Sequence, residues 1–316
     1  MKNLFIITLV MTAFAANSII TRLALSSNLI GPSNFALLRA GSAALILVLL
    51  VLFIQKKIPK FKINSIISSL ALVGYLVGFS FAYLTINTGV GALILFGGSM
   101  IVMFTGALLL KEDISILRFI GVFLSLIGLY ILTDPRFGDN SLFGIILMFL
   151  AAFSWGIYSV LGHEQNNPLS NTAINFVLAL LLIIPIALFI PDQTNTSAYG
   201  IFLAIISGSI TSGLGYTLWY WVLPKINITS ASIAQLSVPL IAALGGYLFI
   251  SETLNWQFYI ASFLILGGIG LPFFFKKYDN LNELKFRMSY GKIGSNPISP
   301  YQSLALMTPI RYNFND

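Results

Sequence analysis

The sequence predicts an all-α integral membrane protein with ten transmembrane helices in two inverted five-helix repeats. Three observations carry this prediction. The 316 residues are 57% hydrophobic and 9% charged, with a mean hydropathy of +0.91, where a soluble domain carries about 25% charged residues. The apolar runs are continuous, not alternating as in a barrel, and each is near the ~20 residues that cross ~30 Å of hydrocarbon as a helix. The chain also resembles itself at an offset of about 140 residues.

The runs cover residues 3–23, 34–54, 65–86, 90–110, 115–133, 142–163, 170–190, 197–222, 227–250 and 255–275. The first begins like a signal peptide, with Lys2 ahead of an apolar stretch and Ala13-Phe14-Ala15 resembling a cleavage site. Its apolar pattern continues to Ile20, so it is read as a retained span. Turn and charge signals separate the others: Gly31-Pro32, Gln55 to Lys62, Lys111-Glu112-Asp113, Asp134-Pro135, Asn166-Asn167-Pro168 and Pro191-Asp192. Asn87-Thr88-Gly89, between the third and fourth runs, is the weakest break. From Tyr278 onward Asn, Ser, Pro and Lys replace the apolar pattern, and residues 278–316 are expected to be a disordered cytoplasmic tail.

Lys and Arg set the orientation. With the N-terminus in the cytoplasm, fourteen of the seventeen basic residues fall on the inner side. Both termini are therefore expected in the cytoplasm of a multi-pass protein of the cell membrane. The net charge of +7 then sets topology and meets anionic lipid, and it calls for no nucleic-acid partner.

The self-similarity is collinear. Leu110-Lys111-Glu112 falls on Ile250-Ser251-Glu252, Gly128 on Gly268, Ala13-Phe14 on Ala152-Phe153, and Asn17 on Gly156. The halves are residues 1–135 and 140–276. Five spans per half is an odd number, so the second half is inverted relative to the first. In transporters, inverted repeats put the substrate site near the bilayer midplane, between the halves.

Groups able to do chemistry are few. The absence of cysteine excludes thiolate nucleophiles, disulfides and Cys-based metal sites. All ten carboxylates, and the single histidine His163, lie at span ends, in loops or in the tail. No protected proton relay, metal site or cofactor site is expected. Arg39 lies inside the second run, where it either snorkels to the outer interface or faces a cavity. Glu112 and Glu252 sit at symmetry-related turns, as caps of the following helix or as coupling groups. Tyr216, Trp219 and Tyr220 share one helix face by their spacing. They form either an interfacial belt or a cavity wall suited to an organic, even cationic, solute. Gln235 and Pro239 share a stripe in the ninth run, and Leu95 and Ser99 hold the matching positions in the fourth. Pro239 is expected to free the Gln235 carbonyl within one broken helix. Asn17, Trp155, Tyr158 and Asn175 complete the path candidates. The second half keeps the more polar version of the repeat and is expected to supply most of the lining.

These strings resemble the drug/metabolite transporter superfamily, specifically its EamA-type ten-span proteins. The resemblance rests on Ala152-Phe153-Ser154-Trp155-Gly156-Ile157-Tyr158-Ser159, on Ser212-Gly213-Leu214-Gly215-Tyr216 with Leu218-Trp219-Tyr220, and on Gln235-Leu236-Ser237-Val238-Pro239 with Ser251-Glu252. Arg39 and the stretch from Gly89 to Gly98 add to it. It covers residues 3–275 and implies a central cavity and alternating access for small metabolites, with many relatives acting as exporters. Ala16 and Asn17 depart from the Trp-Gly pair that members often carry there.

The expected function is secondary transport of a small organic metabolite, amino-acid-like or drug-like, in the direction of export. The partners are that solute and membrane lipid; the oligomeric state is left open, with a monomer compatible. The alternatives are a membrane-embedded enzyme, for which a nucleophile with a base in reach is lacking, and a channel.

Overall fold

A backbone in lipid has no water to bond, so each apolar run must close its own hydrogen bonds as a helix. The computed structural model describes residues 2–59, 63–86, 88–111, 116–133, 141–163, 167–250 and 256–274, and every regular element among them is helical. In order these are α1 (Lys2–Ser26), α2 (Pro32–Leu50), α3 (Asn64–Ala82), α4 (Thr88–Leu109), α5 (Ile116–Thr133), α6 (Leu142–Gly162) and α7 (Pro168–Phe189). They continue with α8 (Ala198–Ile206), α9 (Gly215–Val222), α10 (Ile228–Gln235), α11 (Val238–Ile250) and α12 (Trp256–Phe274). Among the described residues seven helical runs are long and apolar enough to cross a membrane: α1, α2 with the turn after it, α3, α6, α7, α8 through α9, and α10 through α11. Large apolar side chains such as Phe53, Phe153, Phe189, Phe249 and Phe263 face outward. Lipid, not water, suits such a surface, so this is a multi-pass membrane protein. Glu112, Glu252 and the tail expected over 278–316 lie outside the described residues.

Two of the expected spans are subdivided. The eighth is α8, then a π-helical stretch Ser207–Leu214, then α9. The ninth is α10 and α11, separated at Leu236 and Ser237. Pro239 follows directly on the break, at Leu236 and Ser237, that the sequence reading attributes to it. It sits in the first turn of α11, where a missing N–H leaves no bond unmade.

The helix ends follow from local chemistry. α1 stops in a Schellman turn: Asn28 adopts the left-handed conformation (φ 52°), Leu29 N–H donates to Ala24 O and Asn28 N–H to Leu25 O. Asn167 caps α7 by accepting from Ser170 N–H at 3.2 Å, ahead of Pro168 in its first turn, and Ser197 caps α8 by accepting from Gly200 N–H at 3.0 Å. α2 starts with Gly31 and Pro32 and borrows its cap from far along the chain. Asp192 Oδ1 and Oδ2 accept from the backbone N–H groups of Ser33 (3.0 Å) and Asn34 (2.8 Å). At the other end of the α2–α7 pair, the Gln55 and Asn167 amides donate to each other at 3.0 and 3.1 Å. Arg22 donates to Tyr83 O, at the negative end of α3.

The two sequence halves interleave. α2 packs on α7, α3 on α6, and α4 on both α6 and α10. α1 packs against α8, α9 and α11, and α5 against α12. Residues 1–279 accordingly form one unit. α5 and α12 cross at bare backbone: a Cβ at Gly121 would run into the Gly268 carbonyl, and one at Gly268 into the Gly121 carbonyl. Small residues let membrane helices approach in this way.

Candidate functional site

The interior between α1, α3, α4, α6 and α9 holds a cavity lined by Phe14, Asn17, Ser18, Tyr75, Leu95, Phe96, Trp155 and Tyr216. Its free space is about 10 Å³, the room of one water. The residues that line it are each at most 5% exposed. Aromatic rings make most of its wall. Phe14 meets Trp155 edge-on (centroids 5.2 Å, 87°) and Tyr216 likewise (5.6 Å, 83°), while Tyr75 and Tyr216 lie 5.0 and 4.8 Å from Trp155.

Arg39 stands behind two of these rings. It is wholly buried, so it does not snorkel to the interface. Its Nε donates to Ser212 Oγ at 2.8 Å, and its Nη2 donates to Tyr216 Oη at 2.7 Å and Tyr75 Oη at 3.2 Å. The guanidinium lies over the Tyr75 and Phe79 rings, 5.3 and 5.5 Å from their centroids. Nη1 has no hydrogen-bond partner among the described residues. Local sequence makes this possible. Gly208 brings the π-helical stretch against the Arg39 backbone, where any Cβ would strike the Arg39 carbonyl. The wider turn presents Ser207, Thr211 and Ser212, all buried, toward α1 and α2. π-helical turns recur at functional sites.

Asn17 projects from α1 into the same place. Its Oδ1 accepts from Ser207 Oγ at 2.7 Å and lies 3.1 Å from Thr211 Oγ1, whose proton is shared with Ser207 O at 2.9 Å. Gln235, the last residue of α10, accepts from Trp155 Nε1 at 2.7 Å and donates to Met103 Sδ at 3.0 Å. It thereby fixes the orientation of the Trp155 ring.

The other path candidates lie further off. Tyr158 stacks between Trp155 and Tyr220, with centroids at 5.8 and 4.7 Å, and its hydroxyl lies beside Asn175. Trp219 donates to Ser159 Oγ at 3.2 Å, and Tyr220 donates to Tyr158 O at 2.8 Å. Both are buried, so they are not an interfacial belt. They pack beneath Tyr216 and do not line the cavity. Ser99 donates to Phe96 O in its own helix, and Pro239 is buried at the start of α11. The expectation that the second half supplies most of the lining does not hold for this small cavity. Six of the eight lining residues come from the first half, and Tyr216 and Trp155 are the two from the second. The second half's polar groups are spent on helix contacts instead.

Sequence reasoning passed over Tyr75, Phe14 and Phe79; it marked the hydroxyl-rich stretch that begins at Ser207 as a path wall but did not single out Ser207, Thr211 or Ser212 as site residues. The aromatic residues carry no contrast within apolar runs. The hydroxyls carried a signal in the small-residue string from Ser207 to Gly215, which is too short in side-chain bulk for a lipid-facing helix.

Residues 142–274 match the EamA-like transporter family. The chain is 35% identical over 270 residues to the uncharacterized protein PA1977 of Pseudomonas aeruginosa, covering 85% of this chain and 94% of that one. It is 26% identical to the uncharacterized transporter YoaV of Bacillus subtilis over 233 residues, 70% of this chain and 80% of the relative. An uncharacterized transporter of Archaeoglobus fulgidus is 25% identical over 190 residues, 58% of this chain and 67% of the relative. A solved crystal structure of a protein superposes with a TM-score of 0.72 at 15% identity, over 85% of this chain and 96% of that one, and shares the fold. The chain belongs to the EamA-like transporter family of the drug/metabolite transporter superfamily.

Proposed function

We propose that the protein is a secondary transporter, not an enzyme, that moves a small organic metabolite across the cell membrane by alternating access. The transport unit is ten crossings in two inverted halves, with both termini cytoplasmic and export as the net direction. The observation that carries this reading is the small cavity between helices of both halves. It is walled by aromatic rings and hydroxyls and backed by a buried cation. Alternating access needs a site of this kind between its two halves.

The helix neighbours support the inverted repeat. Exchange the first helix of one half with the first of the other, and so on along each half. The α3–α6 contact then becomes the contact of α1 with the α8–α9 run, and the α4–α6 contact becomes that of α1 with α11. The α2–α7, α5–α12 and α4–α10 contacts map onto themselves. The register agrees: Gly121 meets Gly268 and Ser125 Oγ donates to Ile265 O, an antiparallel crossing. Asn17, Trp155, Tyr216 and Gln235 form or orient the wall of the path. Tyr158, Asn175, Trp219 and Tyr220 form its support, and the bias of basic residues supports cytoplasmic termini.

Reconstitution tests the reading. Purified protein in liposomes is expected to give saturable uptake and counterflow of a metabolite from a panel, and net efflux from loaded cells. Ion currents far faster than carrier turnover would sink the carrier reading in favour of a channel.

A further inference from the structure

Arg39 brings a full positive charge into the helical core. A guanidinium stays charged at any working pH, and a buried charge is costly by several kcal/mol unless it is paired. Asp192 is the one carboxylate among the described residues, and both of its oxygens are held by the backbone at the start of α2. What surrounds Arg39 is neutral: one serine hydroxyl, two phenols and two ring faces. Its Nη1 is unpartnered among the described residues while the residue is fully buried.

The hydrogen-bond inventory sets the polarity of the cavity wall. Guanidinium donates only, so Tyr75 and Tyr216 accept from Nη2 and cannot return their own protons to it. The two hydroxyls also bond each other, so one O–H bridges the pair and the other is left to give elsewhere, polarised by the cation behind it. Both tyrosines line the cavity, as does Asn17, whose Oδ1 is already occupied and whose Nδ2 is the unspent end. The site thus offers donors, one net positive charge and aromatic faces.

We infer that the cavity is a subsite for a singly charged carboxylate on an aromatic or bulky apolar body. The carboxylate accepts from the free O–H of the Tyr75–Tyr216 pair, and Arg39 is its ionic partner. One guanidinium balances one negative charge, so a monocarboxylate suits it better than a dianion. A cationic solute would meet a like charge at the same rings, which removes the cationic cargo that the aromatic cluster alone would allow. This inference rests on the transporter reading, and its test separates the two.

The probes are phenylacetate, phenylacetamide and phenethylamine, which share one body and carry anionic, neutral and cationic heads. Binding to the purified full chain is followed by tryptophan fluorescence, because Trp155 lines the cavity. Phenylacetate is expected to bind at least about tenfold more tightly than either of the others, a difference of about 1.4 kcal/mol. Arg39→Gln is expected to abolish that preference and Arg39→Lys to keep part of it. Equal affinities, tightest binding of the amine, no binding of phenylacetate, or an unchanged preference in a monodisperse Arg39→Gln protein overturns the inference. If Arg39→Gln does not fold, Tyr75→Phe decides, since it removes one donor and keeps the ring. A severalfold loss of phenylacetate affinity is expected there, and unchanged affinity overturns the subsite. Carboxylate binding without counterflow in liposomes would leave the subsite standing and sink the transporter reading. Counterflow of the amine or the amide that ignores Arg39 would do the reverse.

Discussion

Trp155 and Gln235 satisfy each other in a place that offers few other partners. The indole N–H donates to the amide oxygen at 2.7 Å, and both side chains are buried. Leaving a buried acceptor unpaired costs about 1–3 kcal/mol. Trp155→Phe is therefore expected to destabilise the protein by about that much beyond its loss of packing, because it orphans Gln235 Oε1. Gln235→Leu orphans the indole N–H instead. The double variant is expected to lose less than the two singles together, by about 0.5–3 kcal/mol of coupling. Unfolding titrations of the four proteins in mixed micelles measure this, and strict additivity would remove the pair from the account. These two residues were legible in the sequence because an amide and an indole stand out in apolar runs. Arg39 and Tyr216 stood out for the same reason. Tyr75 and Phe14 did not, since a ring in an apolar run reads the same whether it faces lipid, a neighbouring helix or a cavity. Only the fold tells these apart.

At the scale of the element, backbone approach decides which small residues matter. Gly267 and Gly268 are neighbours in α12 with opposite surroundings. A Cβ at Gly268 would strike the Gly121 carbonyl and the Ser125 hydroxyl, while one at Gly267 meets nothing within 4 Å. Gly268→Ala is expected to destabilise by about 1–3 kcal/mol, as overpacking does. Gly267→Ala is expected to be neutral or to stabilise by up to about 1 kcal/mol, through helix propensity. Thermal unfolding compares them, and equal effects would mean that the crossing is not at bare backbone. Asp192 gives a second case. It lies between α7 and α8 yet caps α2, so Asp192→Ala is expected to cost about 1–2 kcal/mol through the lost cap. Asp192→Asn should recover part of that loss. Sequence placed the helices well, because apolar length is a strong signal. It missed the π-helical turn at Ser207–Leu214, and it put the break of the ninth run at Pro239 where the structure has it at Leu236 and Ser237. Both depend on hydrogen-bond partners and close contacts from other helices, which a single run does not encode. The long-range cap was invisible for the same reason.

At the scale of the whole molecule, the α2–α7 pair fixes two faces. Its one end is held by Asp192 on Ser33 and Asn34, and the other by the Gln55–Asn167 amide pair. The helical run between them, Pro32–Gln55, has 24 residues, about 36 Å at 1.5 Å per residue. That exceeds the ~30 Å of a hydrocarbon core, so exposed Lys57 and Asn195 emerge on opposite sides of the membrane. The chain has no cysteine, so one introduced thiol reports one place. On the proposed orientation, the side that carries Lys56, Lys57, Lys60 and Lys62 faces the cytoplasm. A membrane-impermeant maleimide added to intact cells is expected to label Asn195→Cys and spare Lys57→Cys, with the pattern reversed in inverted vesicles. Labelling of both thiols from one side would refute the crossing of α2. A reversed pattern would keep the crossing and overturn the orientation.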